Sequence, residues 1–432
     1  MEKPPGKASH SSRGGFLGYH PSTVPEPIPP YNERLADLVK ELTEAGCLGL
    51  LVLDLGPLAV IEDQYGIDAY EEVRQRVFKI LDEHRGKDYR TGDILGLDRP
   101  RGLLFIFFLE RKRRRNVPFT VADLRVARGR MLGSLLPNLA RAAFPYLKAA
   151  PRLDVGCAVA VHNPLLHPER IVERATAEAL AQAAHHRRSE ELLVLERLQD
   201  ILLRERVLTA YQPILRMQEG TVMGFEALSR GPRGSGLEAA DTLFAAARDH
   251  NLLIELDRLC RRRALLSSGR VPSNARIFVN ALPATMRDPQ FRGKPLIDFL
   301  DKAQVAPDRI VIEITEKLVI ENYGLFRETM AYFSDLGMSF AVDDVGAGYS
   351  GLESIARLKP NFLKIDTALV RDVHASMVNQ AMVKAIISLG HGIGAQVIAE
   401  GIHSEEETQA LRTMGVDFGQ GYYLARPDPG PE

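Results

Sequence analysis

Cysteine is scarce in this chain, tryptophan is absent, and long apolar segments are missing. The three cysteines, Cys47, Cys157 and Cys260, lie far apart and form no C-x-x-C pattern, so the sequence predicts neither a disulfide framework nor a zinc site. The longest apolar runs, such as 102–109, have about half of the ~18 residues that a membrane-spanning helix needs. The N-terminal residues lack the apolar region of a secretory signal. We therefore expect a cytoplasmic protein without a membrane segment.

An excess of charge of either sign is also missing. The 432 residues contain 55 lysines and arginines against 56 aspartates and glutamates, a formal net charge of −1, so no nucleic-acid partner is expected. The basic run RKRRR at 111–115 could attract nucleic acid or acidic lipid. We favour a solvated loop there, because no aromatic side chains are interleaved with these charges.

Local composition divides the chain into three parts. Residues 1–31 are rich in proline, glycine and serine, which predicts a disordered tail. Residues 32–190 alternate helix-like and strand-like segments, which is typical of an α/β sandwich with helices on a sheet. The predicted helices there are 33–45, 67–86, 121–144 and 168–186, and the predicted strands are 48–54, 102–109 and 153–161. A connecting helix over 190–207 is predicted to lead into the third part, 191–432.

The third part carries strand-like runs that are mostly separated by helix-like segments. This order predicts an α/β fold, a TIM-like (β/α)8 barrel. The linker RMQEGT at 216–221 is too short for a parallel crossover, so the first two strands should form an antiparallel hairpin. The runs are 208–215, 222–229, 276–282, 310–315, 339–345, 362–366, 396–400 and 418–425.

Polar side chains stand at the C-terminal ends of these runs, where barrel enzymes build their active sites. We expect them to converge although they are far apart in the sequence. Carboxylates at such density repel one another unless cations neutralise them, and their oxygen atoms suit Mg²⁺ or Mn²⁺. The residues are Glu226, Asn280, Glu313, Glu316, Asp343, Asp344, Lys364, Asp366, Glu400 and Gln420.

The adjacent pair Asp343 and Asp344 predicts a two-metal site. Two neighbouring carboxylates can share their charge between two ions, which together cleave a phosphodiester. Lys364 can orient the attacking water and offset charge on the phosphorus. Taken alone, the two aspartates are typical of a helix N-cap and the lysine of a surface residue. Their position among the other strand-end groups favours the catalytic interpretation.

Short motifs in the third part carry a resemblance to a known family. In order they are YQPI (211–214), FEALSR (225–230), FVN (278–280), EITE (313–316), DDVGAGYS (343–350), LKID (363–366), AEG (399–401) and QGYYLARP (420–427). The region 200–428 resembles the EAL domain, a cyclic di-GMP phosphodiesterase or receptor. The resemblance implies metal-dependent hydrolysis of cyclic di-GMP to the linear dinucleotide pGpG. The alternative is a weak or inactive cyclic di-GMP receptor.

The resemblance also implies roles for individual residues. Lys364 would stand at the water, Glu400 would also accept a proton, and Glu316 would brace the loop after the aspartates. The implied ligands of two Mg²⁺ or Mn²⁺ ions are Glu226, Asn280, Glu313, Asp343, Asp344 and Glu400. The implied dinucleotide contacts are Gln212, Leu228, Arg230, Asp366 and Gln420, with Arg230 on a phosphate.

Several positions depart from the family pattern. His403 and Ser404 stand where the family has glutamate and threonine, and Val345 and Ala347 replace phenylalanine and threonine. His403 could be a substitute metal ligand or a loop residue at the rim, and we favour the loop. In the family this loop links metal binding to dimerisation, so a homodimer is expected. Because the implied metal set is intact, we expect hydrolysis to be retained.

The second part resembles a degenerate GGDEF domain over 33–190. The segments LLVLDLGPLAVIEDQYG (50–66) and LDVGCAVA (153–160) carry this resemblance. The signature loop should follow 93–97, where the chain reads RPRGL (99–103) without the glycine pair or the acidic pair. A cyclase is therefore not expected. The domain is interpreted as a regulatory module for dimerisation or nucleotide sensing, with a possible protein partner.

Overall fold

The computed structural model describes residues 28–98, 102–109, 120–147, 154–282, 285, 288–316, 323–346 and 352–428. The described residues form two compact units that divide between Glu191 and Leu192. The basic run 111–115, Ala347 and the first 27 residues of the predicted tail lie outside them. None of the helices in these ranges combines the length and apolar character that crossing a bilayer requires.

The N-terminal unit is built on an antiparallel sheet with strand order β2-β3-β1-β4. Its strands are β1 (Cys47–Asp54), β2 (Ile94–Asp98), β3 (Leu103–Leu109) and β4 (Asp154–Val161). The helices are α1 (Leu35–Ala45), α2 (Ala59–Tyr65), α3 (Ile67–Glu83), α4 (Val121–Ala143) and α5 (Pro168–Leu203), and α5 continues past the division.

Helices cover both faces of this sheet because β1 is apolar on both sides. Successive side chains of a strand point to opposite faces. Leu51 and Leu53 therefore join the core with α3 and α4, whereas Leu50 and Val52 join the core with α1 and α5. A layer of helices on each face is the sandwich arrangement that the alternating pattern predicts.

Three segments of this unit differ from the sequence-based expectation. Residues 28–31 belong to the folded unit, because Ile28 is buried in the core and the Leu97 amide donates to the Pro29 carbonyl at 3.0 Å. Strand β2 was not predicted, since it contains a glycine and ends at an aspartate, and both residue types are typical of turns. The predicted helices 168–186 and 190–207 are one helix, α5, because no proline or glycine interrupts the connecting residues.

The second unit is a closed eight-stranded barrel, as predicted. Its strands are β5 (Leu208–Arg216), β6 (Val222–Arg230), β7 (Arg276–Asn280), β8 (Ile310–Thr315), β9 (Ser339–Val345), β10 (Phe362–Ile365), β11 (Gln396–Ala399) and β12 (Phe418–Gly419). The surrounding helices are α6 (Ala240–Asp249), α7 (Leu253–Leu266), α8 (Gly293–Ala303), α9 (Tyr323–Asp335), α10 (Leu352–Leu358), α11 (Thr367–Val370), α12 (Met377–Ile393) and α13 (Glu405–Met414).

Strand β5 is antiparallel to both of its neighbours, β6 and β12, whereas the remaining pairs are parallel. The predicted hairpin of the first two strands is therefore confirmed. Strand β12 is shorter than the predicted run 418–425, because turns begin directly after Gln420. The barrel thus closes through a single short strand beside β5.

One apolar layer fills the interior of the barrel. It consists of Ile214, Met223, Phe278, Val311, Ala341, Phe362, Ile398 and Phe418. Seven of these side chains lie two residues away from a polar residue of the predicted site, so the period of two along each strand places those polar groups on the same inner face. The apolar layer therefore forms a floor beneath a polar layer at the C-terminal ends of the parallel strands.

Candidate active site

The strand period brings the predicted site residues together. Six of these polar residues each stand two positions after a residue of the apolar layer. The pairs are Phe278 and Asn280, Val311 and Glu313, Ala341 and Asp343, Phe362 and Lys364, Ile398 and Glu400, and Phe418 and Gln420. In the antiparallel β5 the order is reversed, and Gln212 precedes Ile214. These residues form the polar layer, which we define as Gln212, Glu226, Asn280, Glu313, Asp343, Lys364, Glu400 and Gln420.

Lys364 is the single ammonium group of the polar layer and is fully buried. Its Nζ atom lies 2.6 Å from Glu400 Oε1, 2.8 Å from Glu313 Oε1, 3.3 Å from Asp343 Oδ1 and 3.4 Å from Glu226 Oε2. Burial lowers its pKa, but the four carboxylates outweigh burial and hold the pKa well above the ordinary value. The ammonium therefore stays charged at the centre of the layer.

Glu226 is the best-satisfied carboxylate of the layer. Its Oε1 accepts a hydrogen bond from Asn280 at 3.2 Å, and its Oε2 accepts one from Gln420 Nε2 at 2.7 Å. Burial raises the pKa of Glu226, but Lys364 and these hydrogen bonds outweigh it, so the net pKa is lowered. Glu226 is therefore a carboxylate that keeps its negative charge.

The other buried carboxylates carry more charge than Lys364 can balance. Burial is the largest cause that raises the pKa of Glu313, Asp343 and Glu400. Neighbouring carboxylates raise it further: Glu226 acts on Glu313, and Asp343 acts on Glu400. Without added cations these groups therefore bind protons more readily than ordinary carboxylates.

Asp344 stands beside this cluster with an unusual backbone. Its φ angle is 56°, a left-handed conformation that aspartate adopts more readily than most residues. Its amide donates to Asp343 Oδ1 at 3.0 Å. Burial and the charge of Asp343 raise the pKa of Asp344 to about 6. Asp343, Asp344 and Glu400 each offer an oxygen atom, and these atoms lie within 4.8 Å of one another.

The donor set fits hard divalent cations. Five carboxylates face one ammonium, so full ionisation leaves four unbalanced negative charges. Among the described residues, the buried Oε1 of Gln420 has no hydrogen-bond partner. Glu313 Oε1 is an ion-pair partner of Lys364 but makes no well-formed hydrogen bond. Free oxygen atoms in an acidic, buried layer are the ligands that Mg²⁺ and Mn²⁺ prefer.

A cavity of about 380 Å³ opens beside the polar layer, and we call it the inner cavity. Leu228 and Arg230, at the end of β6, line it together with Asn280 and Glu313. Two predicted dinucleotide contacts therefore border the same cavity as two predicted metal ligands. Arg230 donates to the Ser229 carbonyl at 2.8 Å.

The remaining predicted dinucleotide contacts have protein partners. Gln212 Oε1 accepts from Gln420 Nε2 at 3.0 Å, and Gln212 Nε2 donates to the Ala425 carbonyl at 3.1 Å. Both amides lie in the polar layer next to Glu226. Asp366 caps α11 by accepting from the Ala368 amide at 2.8 Å. These three residues therefore position parts of the site in the described structure.

Glu316 contacts the segment after the two aspartates. Its Oε2 accepts a hydrogen bond from the Gly346 amide at 3.1 Å, and its side chain is buried. Gly346 has a φ of +96°, which favours glycine. Val345 is fully buried in the hydrophobic core around the barrel. A bracing role was predicted for Glu316, and this contact is consistent with it.

His403 lies at the start of α13. Its amide donates to Glu407 Oε2 at 2.7 Å, and its exposed ring meets Tyr422 edge to face at 6.2 Å between centroids. Ser404 is the N-cap of this helix and accepts from the Glu407 amide at 3.2 Å. These contacts are those of a loop residue before a helix.

Sequence reasoning missed Asp257 and Arg261 on α7, which also line the inner cavity. Asp257 accepts from Thr285 Oγ1 at 2.6 Å and from the Leu282 amide at 3.3 Å, so it holds the segment that follows β7. The spacing of four residues between an acid and an arginine in an amphipathic helix was the signal that could have found them.

Comparisons with known proteins agree with this geometry. The EAL domain family matches residues 195–427. Over 246 residues the chain is 28% identical to signaling protein YkoW of Bacillus subtilis. This match covers 54% of this chain and 30% of YkoW. Over 254 residues it is 28% identical to the bifunctional diguanylate cyclase/cyclic di-GMP phosphodiesterase MucR of Pseudomonas aeruginosa. This match covers 56% of this chain and 36% of MucR. The matched part spans about a third of the length of these curated relatives.

A solved structure shares the barrel fold. The FimX EAL domain of Xanthomonas citri, in complex with cyclic di-GMP, matches with a TM-score of 0.51 and 23% identity. The match covers 57% of this chain and 99% of that domain. Because the family match at 195–427 takes in more than half of the chain, we conclude that this chain belongs to the EAL domain family.

Proposed function

We propose that the chain hydrolyses cyclic di-GMP to the linear dinucleotide pGpG with two divalent cations, Mg²⁺ or Mn²⁺. The observation that carries the proposal is the polar layer, in which Lys364 lies within 3.4 Å of four carboxylates. The name of MucR as a cyclic di-GMP phosphodiesterase supports the reaction, and the FimX complex supports the ligand.

The proposed ligands of the ions are Glu226, Asn280, Glu313, Asp343, Asp344 and Glu400. Four unbalanced negative charges match two divalent cations, which supports the number of ions. Ions held by these residues would supply an activated water and offset the charge on the phosphodiester that is cut. Glu226 keeps its charge through Asn280 and Gln420, so it is a ligand ready for a cation.

The chain's own groups would orient the reaction. The buried ammonium of Lys364 would hold the attacking water and stabilise negative charge that develops on the phosphoryl group. Glu400 would accept the proton of the same water, and its distance of 2.6 Å from this ammonium supports that role. Arg230 and Leu228 border the inner cavity, where Arg230 would pair with a phosphate of the dinucleotide. Gln212, Asp366 and Gln420 remain proposed contacts at its edge.

For the N-terminal unit, 32–190, we propose a regulatory role without cyclase activity. Asp54 ends β1, where a cyclase of the resembling family binds metal. Here its Oδ2 lies 2.5 Å from Arg187 Nη2, and its Oδ1 accepts from the Gly56 amide at 2.8 Å. A carboxylate with these partners is satisfied without a metal, which supports the proposal. A homodimer and a protein partner of this unit are part of the same proposal.

Product analysis tests the activity. The protein is incubated with cyclic di-GMP and Mg²⁺ or Mn²⁺, and the nucleotides are separated by chromatography. The expected result is linear dinucleotide from the native protein and none from Glu226→Gln, which keeps the shape of the side chain and removes its charge. Equal turnover by both proteins would overturn the proposal. Calorimetric binding of cyclic di-GMP without any product would identify a receptor instead.

A further inference from the structure

Arg261 on α7 is a buried charge with too few partners. Its side chain is 3% exposed, and none of its three guanidinium nitrogens makes a hydrogen bond to a described residue. Its ion pair is a contact of 3.1 Å between Nη2 and Asp257 Oδ2 without hydrogen-bond geometry. Burying a charged group without hydrogen bonds is unfavourable in free energy. Because arginine does not give up its proton in proteins, Arg261 cannot avoid this penalty by becoming neutral. A buried guanidinium in this state calls for an anionic partner.

Arg261 borders two cavities. One is the inner cavity beside the polar layer, and the other is a cavity of about 420 Å³ between α7 and α8, which we call the outer cavity. The outer cavity is lined by Arg258, Arg261, Arg262, Leu266, Asp288, Gln290, Phe291, Pro295, Asp298, Phe299 and Lys302.

Charge distinguishes the two cavities. The inner cavity has two arginines, Arg230 and Arg261, against the three carboxylates of Asp241, Asp257 and Glu313. The outer cavity has four cationic side chains, Arg258, Arg261, Arg262 and Lys302, against the two carboxylates Asp288 and Asp298. Without bound cations, an anion is therefore favoured more strongly in the outer cavity than in the inner one.

Two of the four outer cations are already engaged. Arg258 Nε donates to Asp288 Oδ2 at 2.6 Å, and Arg262 Nη2 lies 2.7 Å from Glu205 Oε1. Lys302 is exposed at the rim and makes no ion pair with the residues that the structure describes. Arg261 and Lys302 are thus the two cations that remain able to bind an anionic ligand. Arg261 is buried, and Lys302 lies at the rim of the cavity.

The apolar lining indicates what accompanies the negative group. Leu266, Pro295 and Phe299 line the same cavity, and the guanidinium of Arg261 stacks over Phe291 at 4.4 Å from the ring centroid. Stacking fixes the plane of the guanidinium, in which a phosphate or carboxylate would accept hydrogen bonds from its N–H groups. An occupant with an anionic head and a flat apolar body satisfies both parts of the lining.

We propose that the outer cavity is a binding site for a small organic anion, whose phosphate or carboxylate head binds Arg261. The site is separate from the polar layer and does not depend on the proposed hydrolysis.

Calorimetry with phenyl phosphate, benzoate and inorganic phosphate tests the site in metal-free buffer. We expect saturable binding at one site, with phenyl phosphate or benzoate bound more tightly than inorganic phosphate, since only they fill the apolar lining. The tighter of the two organic ligands identifies the head group. Absence of saturable binding by both at millimolar concentration would overturn the proposal and leave a hydrated cavity.

Four variants locate the anion. Arg261→Met should weaken binding by about tenfold or more. Arg263→Met is the control: it removes the same charge from the same helix outside both cavities and should bind normally.

If Arg261→Met does not fold, Lys302→Glu at the exposed rim should still weaken binding about threefold or more. Arg230→Met, which borders only the inner cavity, should bind normally. Loss in Arg230→Met with normal binding by Lys302→Glu would place the anion in the inner cavity and overturn the proposal.

Discussion

Lys364 is the residue whose surroundings determine the charge balance of the barrel. It is fully buried, and four carboxylates lie within 3.4 Å of its ammonium. An isolated buried ammonium would lose its proton, but these neighbours raise its pKa well above the ordinary value. The same lysine limits repulsion among the carboxylates, so its removal should affect folding as well as activity.

Lys364→Met should lower the free energy of unfolding of the metal-free protein by about 3–5 kcal/mol, because it leaves buried carboxylates without their counter-charge. Urea denaturation in the presence of a chelator measures this loss. Lys384→Met, an exposed lysine on α12, is the control and should change the stability by less than about 0.5 kcal/mol. Similar stability of the two variants would contradict the assigned role of Lys364.

Cys260 gives a second prediction at the residue scale, which concerns pH. Burial raises the pKa of this thiol to about 12. The thiolate is the reactive form. Below the pKa, the thiolate fraction rises about tenfold with each pH unit. At pH 8, four units below this pKa, about one thiol in ten thousand is therefore ionised. Alkylation of native Cys260 should therefore be slow at pH 8 and faster at higher pH. Labelling at the rate of a model thiol would show that the side chain is not buried.

The elements of the site were predictable where the order of strands and linkers specifies them. The positions of Asn280, Glu313 and Lys364 at the ends of strand-like runs predicted that they converge, and the short linker predicted the β5–β6 hairpin. The existence of β2 was not predictable, because it depends on tertiary packing that overrides local composition. The continuity of α5 was missed, although the lack of proline and glycine between its two predicted parts indicates it.

Gly346 shows how the end of β9 constrains the sequence. Its φ is +96°, and a Cβ atom would lie 2.3 Å from Leu369 Cδ1. Gly346→Ala should therefore cost about 2–4 kcal/mol of stability, from backbone strain and displacement of Leu369. Gly415→Ala is the matched control, since its φ is +88° with no atom within 4 Å of the added carbon, and it should cost about 1 kcal/mol. Equal costs in urea denaturation would contradict the close approach to Leu369.

At the scale of the whole molecule, the sequence predicted two α/β units and the convergence of the site. The convergence could be predicted because a barrel gathers the C-terminal ends of its parallel strands in one mouth. The exact partners of each group could not, since Gln212 and Gln420 meet across the closing strands and Arg261 borders two cavities through helix packing. Such contacts depend on side-chain placement that periodicity does not specify.

Divalent cations should stabilise the protein through the barrel. Ions that bind the folded polar layer and not the unfolded chain add about 2.7 kcal/mol at one hundred times the dissociation constant. Thermal unfolding with Mn²⁺ and with a chelator measures the shift. Asp343→Asn, which lowers the charge of the layer, should show a smaller shift than the native protein. An equal shift in both would mean that the ions bind elsewhere.

The most direct measurement of the central claim is mass spectrometry of the nucleotide after incubation with Mn²⁺ in water enriched in heavy oxygen. The account predicts linear dinucleotide that carries one heavy oxygen atom, formed by the native protein and absent with a chelator or with Asp343→Asn. Cyclic di-GMP that stays intact with the metal-loaded native protein would contradict the claim that this polar layer hydrolyses a phosphodiester.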